Sequence, residues 1–150
     1  MAAAIDESLG KVGLHQHTKH YSITNEIESD HPLPCEVWKR TKNTALNKVA
    51  KGAGSRPGEN NMPAITIPYA THRILKTTID DAFRDTLRIK CDAGNVRGAL
   101  ADVIQDYKDN QLLGAGADPR YKVAWVETLE YYKEMKIINL AEKAALTAIL

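Results

Sequence analysis

Residues 95–113 read NVRGALADVIQDYKDNQLL, and this stretch decides the fold class. Its apolar residues recur at spacings of three, four and seven, which places them on one stripe of an amphipathic helix. They are Val96, Ala99, Leu100, Val103, Ile104 and Tyr107. The pattern predicts a long helix that buries this stripe in a core.

Three further helices are predicted in the second half of the chain, at residues 80–91, 119–135 and 137–149. The first carries apolar residues four apart, at Phe83, Leu87 and Cys91. Before the second, Asp118 has the position of an N-cap and Pro119 that of the first helical residue. From about residue 79 to residue 150 we therefore expect a bundle of helices.

The first half predicts shorter elements. Residues 1–20 are small and polar and are expected to form a polar arm or lead-in. Residues 21–28, YSITNEIE, alternate as in a short strand, and MPAITIPY at 62–69 predicts a second strand. A helix is expected to begin within THRILKTT, with Thr71 as its N-cap. The chain beyond residue 20 is thus expected to form one mostly helical α+β domain with a small part that contains strands.

The composition is that of a soluble globular protein, with 43% apolar and 26% charged residues. No apolar run approaches the roughly 20 residues that cross a bilayer, so no membrane partner is expected. The start, MAAAIDESLGKVG, lacks the basic and apolar regions of a signal peptide. Cys35 and Cys91 lie outside any CxxC spacing and are expected to be reduced, unless an oxidising compartment joins them.

The net charge of +1 conceals a basic segment. Residues 36–56 carry six basic side chains and one acid, so this segment alone has a charge of +5. Its bases are Lys39, Arg40, Lys42, Lys48, Lys51 and Arg56. A helix is predicted at residues 36–51, followed by a loop, GAGSRPGENN. A basic patch attracts polyanions, and a solvated helix face is the alternative interpretation.

Three polar groups stand in order along the first half: Asp30 and His31 within SDHPLP, Asn60 and Asn61 before the second strand, and His72 after it. Asp and neutral His are both ligands for divalent cations. An Asp on the first strand and a His on the following helix can therefore bind one ion from two sides. The neighbour of the Asp points to the opposite face of an extended backbone. His31 is then free to deprotonate a water molecule. Asn60 or Asn61 could hydrogen-bond the backbone and so hold the loop and fix the orientation of the imidazole.

This order, DHxxP, then Asn, then His on a strand–loop–strand–helix, resembles the HNH branch of the His-Me finger (ββα-metal) endonucleases. The stretch NNMPAITIPYATHRILKTT also resembles toxin domains at the C-termini of bacterial polymorphic toxins, including Rhs-type and type VI secretion effectors. The resemblance covers about a third of the chain, within residues 28–77. It implies that residues 21–150 are one toxin domain, with a ββα-metal-like core at about 21–77, a helical insertion and a helical bundle at about 79–150.

The resemblance also implies a role for each residue of the constellation. Asp30 and His72 would hold one divalent metal ion, which is Mg, Mn, Ni or Zn. His31 would be the general base, and Asn61 would orient it, with Asn60 as an alternative register. The chain departs from the family in lacking zinc-binding CxxC pairs and in the long gap before Asn61, which the predicted basic helix would fill.

Nucleic-acid binding is assigned to basic side chains around this centre. Arg73 and Lys76 follow His72 and are candidates to hold a phosphate. The basic segment contributes Lys39, Arg40, Lys42, Lys48 and Lys51. Cations there would bind backbone phosphates without reading sequence. Trp38 could stack on a base or belong to the core.

The sequence therefore predicts a metal-dependent endonuclease that acts on DNA, with RNA as the other candidate. The resemblance implies the toxic domain of an interbacterial effector, with a cognate immunity protein and a larger effector or secretion apparatus as partners. Such a domain would be secreted without a signal peptide and act in the cytoplasm of the target bacterial cell. Two alternatives stay open: a zinc-dependent peptidase or amidase that uses Asp30, His31 and His72, and a non-enzymatic helical interaction module.

Residues 15–20 read HQHTKH. His15 and His17 would share a face in a strand, and His17 and His20 would share one in a helix. Either pair could bind a transition metal or help to hold a phosphate. An exposed polar arm is the alternative interpretation.

Overall fold

Three short strands form one antiparallel sheet in the order β1-β3-β2. The computed structural model describes residues 2–52 and 58–150, and the sheet lies within these ranges. The strands are β1 (Val12–Leu14), β2 (Ile27–Asp30) and β3 (Pro63–Pro68). Ile65 at the centre of β3 faces Val12 on one side and Asp30 on the other.

The central position of β3 follows from its sequence. Ala64, Ile65 and Ile67 are fully buried, so both faces of the strand are covered. Proline is tolerated only at strand ends and edges, and Pro63 and Pro68 stand at the two ends. The strand predicted at residues 62–69 is therefore confirmed.

Ten α-helices lie in the described ranges. Six short ones belong to the first half: α1 (Ala2–Ser8), α2 (His15–Thr18), α3 (Cys35–Arg40), α4 (Thr44–Ala50), α5 (Tyr69–His72) and α6 (Lys76–Ile79). The second half contains α7 (Asp81–Asp92), α8 (Val96–Asp109), α9 (Pro119–Glu134) and α10 (Leu140–Ala148). Short 3₁₀ helices occur at Lys19–Tyr21 and Gly58–Asn61. With 62% helix and 10% strand, the mostly helical α+β class is confirmed.

The helices of the second half enclose the core and support the sheet. The predicted stripe of α8 is buried along its whole length. α9 packs against β1 and β3, α10 packs on α8 and α9, and α7 packs between α3 and α8. The side chain of Asp118 accepts a hydrogen bond from the Arg120 backbone, with Pro119 at the first helical position, as predicted.

Trp38 is fully buried and its indole donates to the carbonyl of Leu33, so it belongs to the core and is not a stacking surface.

The structure corrects the prediction that residues 1–20 form a polar arm. Val12–Leu14 is an edge strand of the sheet, and α2 follows it directly. The His15 backbone donates to the carbonyl of Met62, and Thr18 is buried. Three residues are too few to show a period in the sequence, and their partner strand lies far along the chain.

Three element boundaries also differ from the predictions. β2 begins at Ile27 and not at residue 21, because a tight turn with Asn25 at φ +60° precedes it. The predicted helix at 36–51 is two helices, because Asn43 caps a new one by accepting from the Leu46 backbone. Thr71 is not an N-cap, because it lies inside the four-residue helix α5, which begins after Pro68 and ends at His72.

Part of the predicted loop GAGSRPGENN, at residues 53–57, lies outside the described residues, and Arg56 of the basic segment lies there too. Its last four residues form the 3₁₀ helix Gly58–Asn61. Within residues 2–52 and 58–150, no helix combines the length and the apolar character needed to cross a bilayer.

Candidate metal and catalytic site

The two predicted metal ligands meet where β2 ends and α5 ends. Asp30 is the last residue of β2, and β2 pairs antiparallel with β3. β3 runs directly into α5, whose last residue is His72. The antiparallel pairing of β2 with β3, together with α5, brings Nε2 of His72 to 3.1 Å from Oδ1 of Asp30. Two residues far apart in sequence thus present a nitrogen and an oxygen to the same point.

Tyr107 of the helical bundle fixes the carboxylate of Asp30. Its hydroxyl donates a hydrogen bond of 2.5 Å to Oδ2, and both residues are buried. Burial and the charge of Asp30 raise the pKa of Tyr107 well above its usual value, so the phenol stays protonated and remains a donor. The hydrogen bond uses Oδ2 and leaves Oδ1 facing His72.

Glu28 holds His72 from the opposite side of its ring. Nδ1 of His72 donates to Oε2 of Glu28, whose other oxygen accepts from Arg73 at 2.6 Å. In metal sites, a histidine usually binds the ion through one ring nitrogen and donates its other ring N–H to a carboxylate. Glu28 has this position relative to His72. Glu28 is a functional candidate that the sequence did not identify, although its place two residues before Asp30 puts both on one strand face.

The ring of His72 lies between two carboxylates, and this decides its charge. Burial alone would lower the pKa of His72, but the hydrogen bonds and charges of Asp30 and Glu28 outweigh burial and raise it. A cation at Nε2 would replace the proton there and compensate the same two carboxylates. The electrostatics of the site therefore favour positive charge at this point.

The candidate donor set is one imidazole nitrogen and one carboxylate oxygen, and these two atoms form a hydrogen-bonded ion pair. Both atoms are of kinds that bind divalent cations. The separation between Asp30 and His72 is 3.1 Å. Within the part of the chain that the structure describes, no group of three or more His, Cys, Asp or Glu side chains could hold a metal. Mg²⁺-type ions need few protein ligands and take the rest from water and phosphate.

His31, the predicted base, lies beside this pair with its tautomer set by the backbone. Nε2 lies 3.4 Å from the carbonyl of Glu59, which can only accept, so Nε2 carries the proton and Nδ1 the lone pair. Burial lowers the pKa of His31 despite the nearby charge of Asp30, and the ring is neutral near neutral pH. A neutral imidazole with a free lone pair can accept a proton.

His15 is a third histidine at this place, which the sequence did not assign to the site. Its ring centroid lies 4.4 Å from that of His31, and its Nδ1 is hydrogen-bonded to Oγ of Ser29 at 2.9 Å. Burial, together with the neighbouring His31, lowers the pKa of His15 to about 4. His17 and His20 of the same cluster are exposed, so HQHTKH contributes one histidine and not a pair.

A cavity of about 200 Å³ is lined by three of the predicted residues, Asp30, His31 and His72. Its lining consists of Ser29, Asp30, His31, Pro34, Cys35, His72, Thr77 and Thr78. It adjoins a groove of about 680 Å³ between α3 and α7, with which it shares Pro34, Cys35 and Thr77. The site is therefore open towards a larger surface.

Among the described residues, no hydrogen bond joins the side chain of Asn61 to His31. Asn61 ends the 3₁₀ helix before β3, and among the described residues its side chain has no hydrogen-bond partner. The carbonyl of Glu59 supplies the contact with His31 instead. The alternative, Asn60, accepts from Lys19 at 3.4 Å. The role of Asn61 stays a prediction.

The predicted phosphate-binding cations fall into two groups. Those of the basic segment are exposed: Lys39, Arg40, Lys42, Lys48 and Lys51. Arg40 is the member that lines the groove beside the site. Arg73 pairs with Glu28 and lies 4.8 Å from the ring centroid of Tyr69, and Lys76 lies over the ring of Phe83. Arg73 and Lys76 thus have contacts within the protein already.

Comparisons with protein-family models, with curated protein sequences and with solved structures found no significant match for this chain. The functional argument therefore depends on the residues of the site and their geometry.

Proposed function

We propose that this protein is a metal-dependent endonuclease that hydrolyses phosphodiester bonds in DNA, with RNA as the second candidate substrate. The observation that carries the proposal is the approach of Nε2 of His72 to Oδ1 of Asp30, at 3.1 Å, in the lining of a cavity that also contains His31. Two metal-binding atoms and a neutral base then line one space, which is the set that metal-assisted hydrolysis requires.

Each side chain has a distinct task in this proposal. Asp30 and His72 would hold the divalent ion, which stabilises negative charge on the phosphate and on the leaving oxygen when bound. His31 accepts the proton of the attacking water at Nδ1, and the resulting imidazolium is stabilised by the neighbouring carboxylate of Asp30. Tyr107 and Glu28 keep Asp30 and His72 in place.

The biological setting is part of the same proposal. The order of elements supports it: β2 ends at Asp30 and is followed by His31, two helices are inserted, and β3 leads to His72 on α5. This is the order that the resemblance to HNH-type toxin domains requires. We therefore propose the toxic domain of an interbacterial effector, which acts in the cytoplasm of a target cell. A cognate immunity protein and a larger effector or secretion apparatus are the proposed partners.

Plasmid cleavage tests the proposal. The purified protein is incubated with supercoiled DNA and Mg²⁺, Mn²⁺, Ni²⁺ or Zn²⁺, with EDTA in parallel. We expect nicking that needs a divalent ion and that falls by at least about 100-fold in His31→Ala, the range of a general base. His17→Ala is the matched control, because His17 is exposed and outside the site. Cleavage that survives both EDTA and His31→Ala would contradict the proposal.

A further inference from the structure

The groove between α3 and α7 combines basic side chains with direct access to the candidate site. Its basic side chains are Arg40, Arg84 and Arg88. It shares Pro34, Cys35 and Thr77 with the cavity around Asp30, so a chain-like ligand in the cavity would continue into it. The sequence had assigned none of the residues of α7 to ligand binding.

Arg84 is held rigidly at the boundary between groove and cavity. Its guanidinium donates to the carbonyl of Thr77 at 3.1 Å and to that of Thr78 at 2.6 Å, and both residues line the cavity. Its side chain is only 19% exposed. An arginine fixed in this way loses little conformational freedom when it binds a further anion.

Arg88 is fixed in the next turn of α7. It donates to Asp92 at 2.7 Å, and Asp92 accepts from Thr41 and from the Lys42 backbone, both at 2.7 Å. This network joins the end of α7 to the connection between α3 and α4. Arg84 and Arg88, four residues apart on one helix, are thus both fixed along the groove by ion pairs.

Three acidic side chains also line the groove and form ion pairs with its three arginines. They are Glu36, Asp81 and Asp85, whose side chains are 56%, 96% and 70% exposed. Ion pairs with such exposed carboxylates are weak, because water and salt screen them. A phosphate can exchange with them at the arginines, and phosphate matches the guanidinium in two-point hydrogen bonding.

Thr77 adds an independent observation at the same boundary. It lines both the cavity and the groove and is 6% exposed, yet among the described residues its hydroxyl has no hydrogen-bond partner. Buried hydroxyl groups are normally paired, so an unpaired one between two ligand-sized spaces points to a missing partner. A phosphate oxygen at Arg84 would supply an acceptor once the Thr77 side chain turns, because the hydroxyl itself has less than 1 Å² of accessible surface.

We infer that the groove between α3 and α7 binds the phosphodiester backbone of a nucleic-acid strand, with Arg84, Arg88 and Arg40 at successive phosphates and Thr77 next to the reacting one. The inference deepens the proposed function and rests on it for the position of the reacting phosphate. It places the strand along α7, whereas Lys48 of α4 and Lys51, which follows α4, lie outside the groove.

Equilibrium binding in EDTA tests this path without any cleavage. Anisotropy of a short fluorescein-labelled DNA duplex is measured with Arg40→Gln, Arg84→Gln and Arg88→Gln. We expect each to weaken binding about fivefold to tenfold and to lower the slope of log affinity against log salt by about one. Lys122→Gln is the charge-matched control and should bind as the wild type does, because Lys122 is exposed on α9, outside the groove. Lys48→Gln tests the competing path along the basic segment and should weaken binding less than the arginine variants. Arg40 is exposed, so Arg40→Gln stays informative if the Arg84 variant does not fold.

The outcomes separate this inference from the proposed function. Arginine variants that bind as the wild type does, or a Lys48→Gln variant that is as weak as they are, would overturn the path. Competition by polyglutamate as strong as that by unlabelled DNA would overturn it too and indicate an acidic protein segment. A loss of binding in the arginine variants supports the path even if no metal ion supports cleavage, in which case only the proposed enzyme fails.

Discussion

The hydroxyl of Tyr107 donates a 2.5 Å hydrogen bond to the carboxylate of Asp30, 77 residues away in the sequence. This contact joins the bundle helix α8 to the last residue of β2. The residue before Tyr107 has a similar task, since the buried carboxylate of Asp106 accepts from the backbones of Lys76 and Thr77 at the start of α6. The helical bundle therefore fixes the candidate site as well as burying the core.

Replacing Tyr107 by Phe removes the hydroxyl and leaves a buried carboxylate with one donor fewer. We expect a loss of about 1.5–3 kcal/mol in the free energy of unfolding, the range for a hydrogen bond to a charged group. Urea denaturation measures it. Tyr132→Phe is the matched control, because Tyr132 is equally buried and its hydroxyl forms no hydrogen bond with a carboxylate among the described residues. Equal losses in the two variants would mean that the contact with Asp30 has no special weight.

Replacing Glu28 by Gln removes the carboxylate behind His72 while keeping its size. We expect the affinity for Mn²⁺ to fall about 10-fold to 100-fold, as for other groups that orient a metal-binding histidine. Isothermal titration calorimetry measures the affinity. Glu26→Gln is the control, because Glu26 is exposed in the turn before β2. An unchanged affinity in Glu28→Gln would show that His72 does not need this partner.

The burial of His15 predicts a dependence of stability on pH. Its pKa is about 4 in the folded protein and 6.5 without burial, so between these values the unfolded state binds more protons. The free energy of unfolding should therefore fall as the pH falls from about 6.5 to about 4. His15→Gln should lose less stability than the wild type over this window, whereas His17→Gln should match the wild type. Parallel curves for His15→Gln and the wild type would contradict this prediction.

The helices of the second half were predictable because they are long and buried on one side. The apolar stripe of α8 and the cap at Asp118 and Pro119 depend only on residues that are close together in the sequence. β1 was missed for the opposite reason. It has three residues, and its pairing with β3 joins segments that only the folded chain brings together.

The candidate site was predictable in its residue types and not in its supporting contacts. Asp30, His31 and His72 stand out because of their chemistry and spacing. Glu28, His15 and Tyr107 do not, because their roles come from contacts that cross the fold: Glu28 reaches His72 over 44 residues, and His15 reaches the site only through the pairing of β1. From the sequence alone, Arg84 is an ordinary surface residue of an amphipathic helix. Its place in the groove comes from the packing of α3 against α7.

The measurement that tests the central claim most directly is calorimetric titration of Mn²⁺ into the wild type, His72→Ala and His31→Ala. The claim is that Asp30 and His72 hold one divalent ion and that His31 acts beside it without binding it. It predicts one ion per chain in the wild type, no measurable binding in His72→Ala, and near wild-type binding in His31→Ala. Equal binding in His72→Ala and the wild type, with both folded, would contradict the claim.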